Sequence, residues 1–97
     1  MNKEQYLLIQ LMEECAEVQH ACAKALRFGL GCTSIDPIGL ITNKEQIQKE
    51  LVDLMSILYC IQEEKIFPME YTEEQVLVKH ERVHKYMQVS RNLGILE

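Results

Sequence analysis

The sequence predicts an all-α protein: a bundle of long helices completed across a homo-oligomer interface. Three observations predict it. Apolar residues recur at helical spacing over three long stretches. Glycine and proline fall at the ends of those stretches and in the connectors between them. The middle stretch is apolar on nearly every side, which one small chain cannot bury alone.

Each element follows in order. The first helix is expected from about Lys3 to Phe28. Leu8, Leu11, Met12, Cys15, Val18, Cys22, Ala25 and Leu26 form its apolar stripe, and Gly29 and Gly31 suit its C-terminal stop. Residues 30–42 have no helical period and carry Gly31, Pro37 and Gly39, so a loop is expected there. It is long for a compact domain, and such loops commonly serve a function. The second helix starts near Lys44, with Thr42 and Glu45, or Asn43 and Gln46, available as a capping box. It ends near Lys65, ahead of Pro68. Thr72 and Gln75 offer a second box, opening a third helix from Glu73 to Asn92 that Gly94 ends. Its main stripe is Val76, His80, Val83, Met87 and Ser90.

The second helix carries the oligomer argument. Ile47, Leu51, Leu54, Ile57, Leu58 and Ile61 cover a broad face, and Val52, Met55, Tyr59 and Ile66 cover nearly the opposite one. At ~1.5 Å per residue the first helix spans roughly 39 Å, against a radius of gyration of about 12–13 Å for a compact chain of this size. Three such rods would make a flat layer with an exposed apolar face. A second subunit is expected to cover it.

Length and composition limit what the protein can be. Ninety-seven residues make one domain, 1–97, and at 47% apolar and 26% charged the chain should fold. A net charge of −5 argues against a general grip on nucleic acid. The absence of Trp leaves few rings for base stacking. No apolar run approaches the ~20 residues of a membrane span. The start, MNKEQYLLIQLMEEC, lacks the pattern of a signal peptide. Cys15, Cys22, Cys32 and Cys60 form no Cys-x-x-Cys pair and read as free thiols, which suits a reduced cytoplasm.

Four carboxylates stand apart from the solvated majority. Glu14 and Glu17 are three residues apart on the first helix, and Glu50 and Asp53 are three apart on the second. Glu14 lies beside the apolar stripe, and Asp53 interrupts the run from Leu51 to Leu58. Ordinary roles exist for each: Glu-x-x-Glu is common on helices, an acid near a helix start is favoured by the dipole, and Asp53 could pair with a lysine or arginine. A carboxylate within an apolar run costs several kcal/mol unless it is paired or bound to metal. Two packed helices carrying such pairs can converge all four on one point. Like charges there repel, and a divalent cation relieves them. All-oxygen ligation suits Mg²⁺ or Mn²⁺ rather than zinc.

Glu13-Glu14-Cys15-Ala16-Glu17-Val18 followed by Glu50-Leu51-Val52-Asp53-Leu54 resembles the motif of the MazG-like all-α nucleoside triphosphate pyrophosphohydrolases. In that superfamily Glu-x-x-Glu and Glu-x-x-Asp lie on adjacent helices. The resemblance covers about residues 5–65, with a longer spacer than is usual. It implies Mg²⁺-dependent cleavage of a (deoxy)nucleoside triphosphate between the α- and β-phosphates, giving the monophosphate and pyrophosphate. It also implies Glu14, Glu17, Glu50 and Asp53 as catalytic metal ligands, or one of Glu14 and Glu17 as the group that orients or deprotonates the attacking water, in a homodimer or a dimer of dimers. Phosphoribosyl-ATP pyrophosphohydrolase shares the fold and is a second candidate activity. A non-catalytic helical adaptor is a third reading.

Substrate-binding candidates follow from charge and position. Lys24 is two turns beyond Glu17 on the same side and Arg27 is within a further turn, so both could reach phosphates; helix C-termini also favour cations for their own sake. Lys79, Arg82 and Lys85 on the third helix are similar. Asn43 could pair with a base edge or cap its helix. Phe28 could stack on a base or pack in the core. His80 and His84, four apart, have a spacing that chelates zinc, but no third ligand stands at suitable spacing.

Overall fold

The computed structural model describes residues 1–32 and 41–97. The part of the predicted loop from 33 to 40, with Pro37 and Gly39, lies outside the described residues. The described chain is all-helical: α1 (Lys3–Phe28), α2 (Asn43–Glu63) and α3 (Glu73–Asn92).

Every helix begins with a reciprocal capping box: Asn2 with Gln5, Thr42 with Glu45, and Thr72 with Gln75. Of the two boxes available to α2, the chain uses Thr42. That choice sets Asn43 inside the first turn, where its side chain turns to another task. The far ends of α2 and α3 share one device. Ile66 N–H reaches the Ile61 carbonyl and Lys65 N–H that of Gln62; Ile95 N–H reaches Ser90 and Gly94 N–H reaches Arg91. Both are paired Schellman closures around a left-handed residue. In α3 that residue is Gly94 (φ 75°); in α2 it is Lys65 (φ 57°).

α1 and α2 pack together as an antiparallel hairpin, and α3 packs against neither. Both ends of the hairpin are tied. Lys3 Nζ lies 3.3 Å from Glu64 Oε2 at one end, and at the other Asn43 Nδ2 donates to the Gly29 carbonyl at 2.9 Å. Backbone bonds from Asn43 N to Cys32 O and from Lys44 N to Leu30 O hold the ends of the connector side by side.

The packed seam alternates steps of four and three on both helices. On α1 it is Leu7, Leu11, Glu14, Val18, Ala21 and Ala25; on α2 it is Asn43, Ile47, Glu50, Leu54, Ile57 and Ile61, all buried or half-buried. This is the seam of a two-stranded coil. It corrects the stripe expected from the sequence on α1. Leu8, Met12, Cys15 and Leu26 of that stripe face outward, with Met12 71% and Leu26 88% exposed. α1 has two apolar sides, and periodicity does not say which one meets α2.

The flat outline expected for three such rods is present with its exposed apolar face, although α3 does not pack beside the hairpin. α3 stands off, the radius of gyration is 17.1 Å, and the extents are 47 × 43 × 21 Å. Pro68 and the closure at Lys65 turn the chain away from α2 before α3 begins. The outer side of α2, with Val52, Met55 and Tyr59, is exposed in the single chain. With Met69 and Tyr71 of the α2–α3 connector it lines an apolar groove of about 820 Å³.

Candidate metal centre

The acidic pairs sit at mid-length of the hairpin. Glu14 and Glu50 occupy seam positions, where neighbouring turns place leucine, isoleucine, valine or alanine. Asp53 is one turn beyond Glu50 on the same side of α2. One oxygen from each of Glu14, Glu50 and Asp53 lies within 4.8 Å of the others. Glu17 is exposed and stands outside this trio, although its charge is felt by Glu14.

Repulsion marks the centre. The Glu14 carboxyl is held above the usual carboxylate range, first by loss of solvent and then by the charges of Asp53, Glu50, Glu17 and Glu13. No lysine or arginine neutralises the trio: among the described residues the one ion pair is Lys3 with Glu64. Gln46 Nε2 donates to Glu50 Oε1 at 2.7 Å and so orients that carboxylate. Sequence reasoning considered Gln46 only as a cap, although its i, i+4 spacing to Glu50 was the available signal.

The donor set fits a hard dication. Ionised carboxylates offer only oxygen lone pairs, and opposed oxygens around Mg²⁺ at ~2.05 Å stand about 4.1 Å apart. A spread of up to 4.8 Å needs little side-chain adjustment to close on one ion. Thiol and imidazole are absent from the trio, so nothing in it selects zinc.

The remaining candidates are scattered. Lys24 is half-buried on α1. Arg27 lies over the ring of Phe28, 5.2 Å from its centroid, so that cation and ring occupy each other at the end of α1. Asn43 is 3% exposed and uses its amide to hold Gly29, which is a structural task. Lys79, Arg82 and Lys85 are exposed on α3, away from the hairpin.

Fold and site together define an all-α protein with a carboxylate centre in the seam of a helical hairpin. No family model, curated protein or solved structure matches the chain.

Proposed function

We propose that the chain is a Mg²⁺-dependent nucleotide pyrophosphohydrolase of the MazG-like type, acting as a homodimer or dimer of dimers. The supporting observation is the uncompensated trio. Three acids meet at mid-seam, two of them in positions that packing alone would give to apolar residues. A scaffold gains nothing from that repulsion, whereas a cation site requires it.

Glu14, Glu50 and Asp53 would hold the ion, with Glu17 at its outer edge free to orient an attacking water. The bound ion would supply charge neutralisation for a triphosphate and a lowered pKa for a coordinated water. The chain's own contributions are distinct. Gln46 fixes Glu50, the seam fixes Glu14, and Lys24, two turns beyond Glu17 on α1, is a candidate for contact with outer phosphates. The resemblance of the two acidic motifs to those of the MazG-like proteins supports this reading for Glu14, Glu50 and Asp53, with Glu17 as the residue that differs in role.

The oligomer has its own support. A compact monomer of 11.3 kDa exposes about 5,700 Å². This chain exposes 8045 Å². The excess is more than the ~800 Å² that one partner contributes to an ordinary stable interface. The outer groove of α2 and the apolar side chains of α3 are the surfaces a second copy would cover.

The test is pyrophosphate release from a panel of canonical and modified triphosphates, with phosphoribosyl-ATP included. Turnover should need Mg²⁺ and vanish in Asp53→Asn. Mg²⁺ should raise the melting temperature of the wild type and leave that of Asp53→Asn unmoved. A wild type whose melting is indifferent to Mg²⁺ and that leaves every triphosphate intact would return the acids to a purely structural role.

A further inference from the structure

We propose a second metal site, on α3, in which His80 and His84 chelate a borderline transition-metal dication of the Zn²⁺ or Ni²⁺ class. The two imidazoles stand one turn apart on an exposed face. Their Nε2 atoms are 3.2 Å from each other, while the ring centroids are 4.4 Å apart. The rings therefore lean together at their nitrogen edges. An ion about 2.05 Å from each nitrogen would see the two at an angle of about 100°, close to the tetrahedral value. A harder ion is not suited to this donor pair, and the carboxylate trio of the hairpin offers the opposite chemistry.

Without an ion, the short separation is a ring-to-ring hydrogen bond, with one Nε2 donating and the other accepting. With an ion, both Nε2 lone pairs turn to the metal. The ring that carried its proton on Nε2 carries it on Nδ1 instead, exchanged through solvent. Two protein ligands leave the other coordination positions to water, so the site is exchangeable rather than a closed structural centre. Its setting gives the ion something to do. α3 packs against no other helix, and no residue of α3 is fully buried. Within the single chain, a chelate across one turn would hold that turn of α3 in the helical state where no other helix of the chain does so.

The third histidine supplies an internal control. His20 lies on α1 and is exposed, apart from the pair on α3. In the full-length chain, imidazole nitrogen resonances would be followed while free Zn²⁺ is set by a weak chelating buffer, so that the thiols do not deplete it. The Nε2 signals of His80 and His84 should shift together and saturate while those of His20 stay in place. In His80→Gln, the His84 signal should need at least tenfold more free Zn²⁺ to shift. The proposal is overturned if His20 responds at the same free Zn²⁺ as the pair, or if His84 titrates unchanged in His80→Gln. Because both side chains are exposed, the substitution leaves the hairpin intact, and the melting temperature in the absence of Zn²⁺ should be unaltered.

Discussion

Glu14 combines a seam position with an ionisable group, and the two conflict. Its folded-state carboxyl is raised above the unfolded value by desolvation and by its acidic neighbours. A raised group contributes stability that is complete below the unfolded pKa and is lost as pH climbs through the folded one. At neutral pH the ionised Glu14 therefore opposes folding of the metal-free chain. Glu14→Gln should raise the melting temperature without Mg²⁺ at pH 7, and the gap from wild type should close as the pH falls into the carboxylate range. Thermal scans across pH in chelator would show this; an equal gap at every pH would contradict it. Asn43 presents the reverse case. Its buried amide bond to Gly29 joins the start of α2 to the end of α1. Asn43→Ala should cost about 1–2 kcal/mol, whether or not nucleotide is present, as judged by chemical denaturation. Sequence alone left Asn43 open between cap and base reader, because the loss of its solvent depends on where α1 ends relative to α2.

The helices themselves were legible to within two residues at each end, and for physical reasons. Capping boxes and stop signals are local, and local chemistry is written in adjacent residues. The acidic pairs were legible for the same reason. What could not be read was which side of an all-round apolar helix becomes the seam. On α1, Leu7 and Ala21 won over Leu8 and Met12, a choice made by the fit against α2 rather than by composition. The convergence of three acids rather than four follows from that choice, since rotating the seam toward Glu14 leaves Glu17 outside. Ile61 is the seam's fully buried large side chain, and Ile61→Ala should cost about 2–5 kcal/mol. At the closure of α2 the left-handed Lys65 is a mild strain that Gly94 avoids at the end of α3. Lys65→Gly should stabilise by up to about 1 kcal/mol. Urea titrations would report both, and a destabilising glycine would show that the lysine side chain makes compensating contacts.

At the scale of the molecule, the core is too small for the surface. Among the described residues, the buried side chains are Ala21, Ala25, Asn43 and Ile61. The proposed second copy would enlarge this interior and make stability depend on protein concentration. Dilution should lower the melting temperature of the wild type. Met55→Lys, on the outer side of α2, should shift the mass in light scattering from a multiple of 11.3 kDa toward that single value. A concentration-independent melt with a monomeric wild type would remove the oligomer reading while leaving the acidic centre in place.

The outer groove also carries its own optical reporter. The chain has no Trp and four Tyr, and Tyr59 and Tyr71 line the groove. Ultraviolet emission is therefore dominated by tyrosine, and two of the four tyrosine rings stand on the wall in question. Anything that settles on that wall should change the emission without a dye, and Tyr59→Phe would tell which ring is speaking.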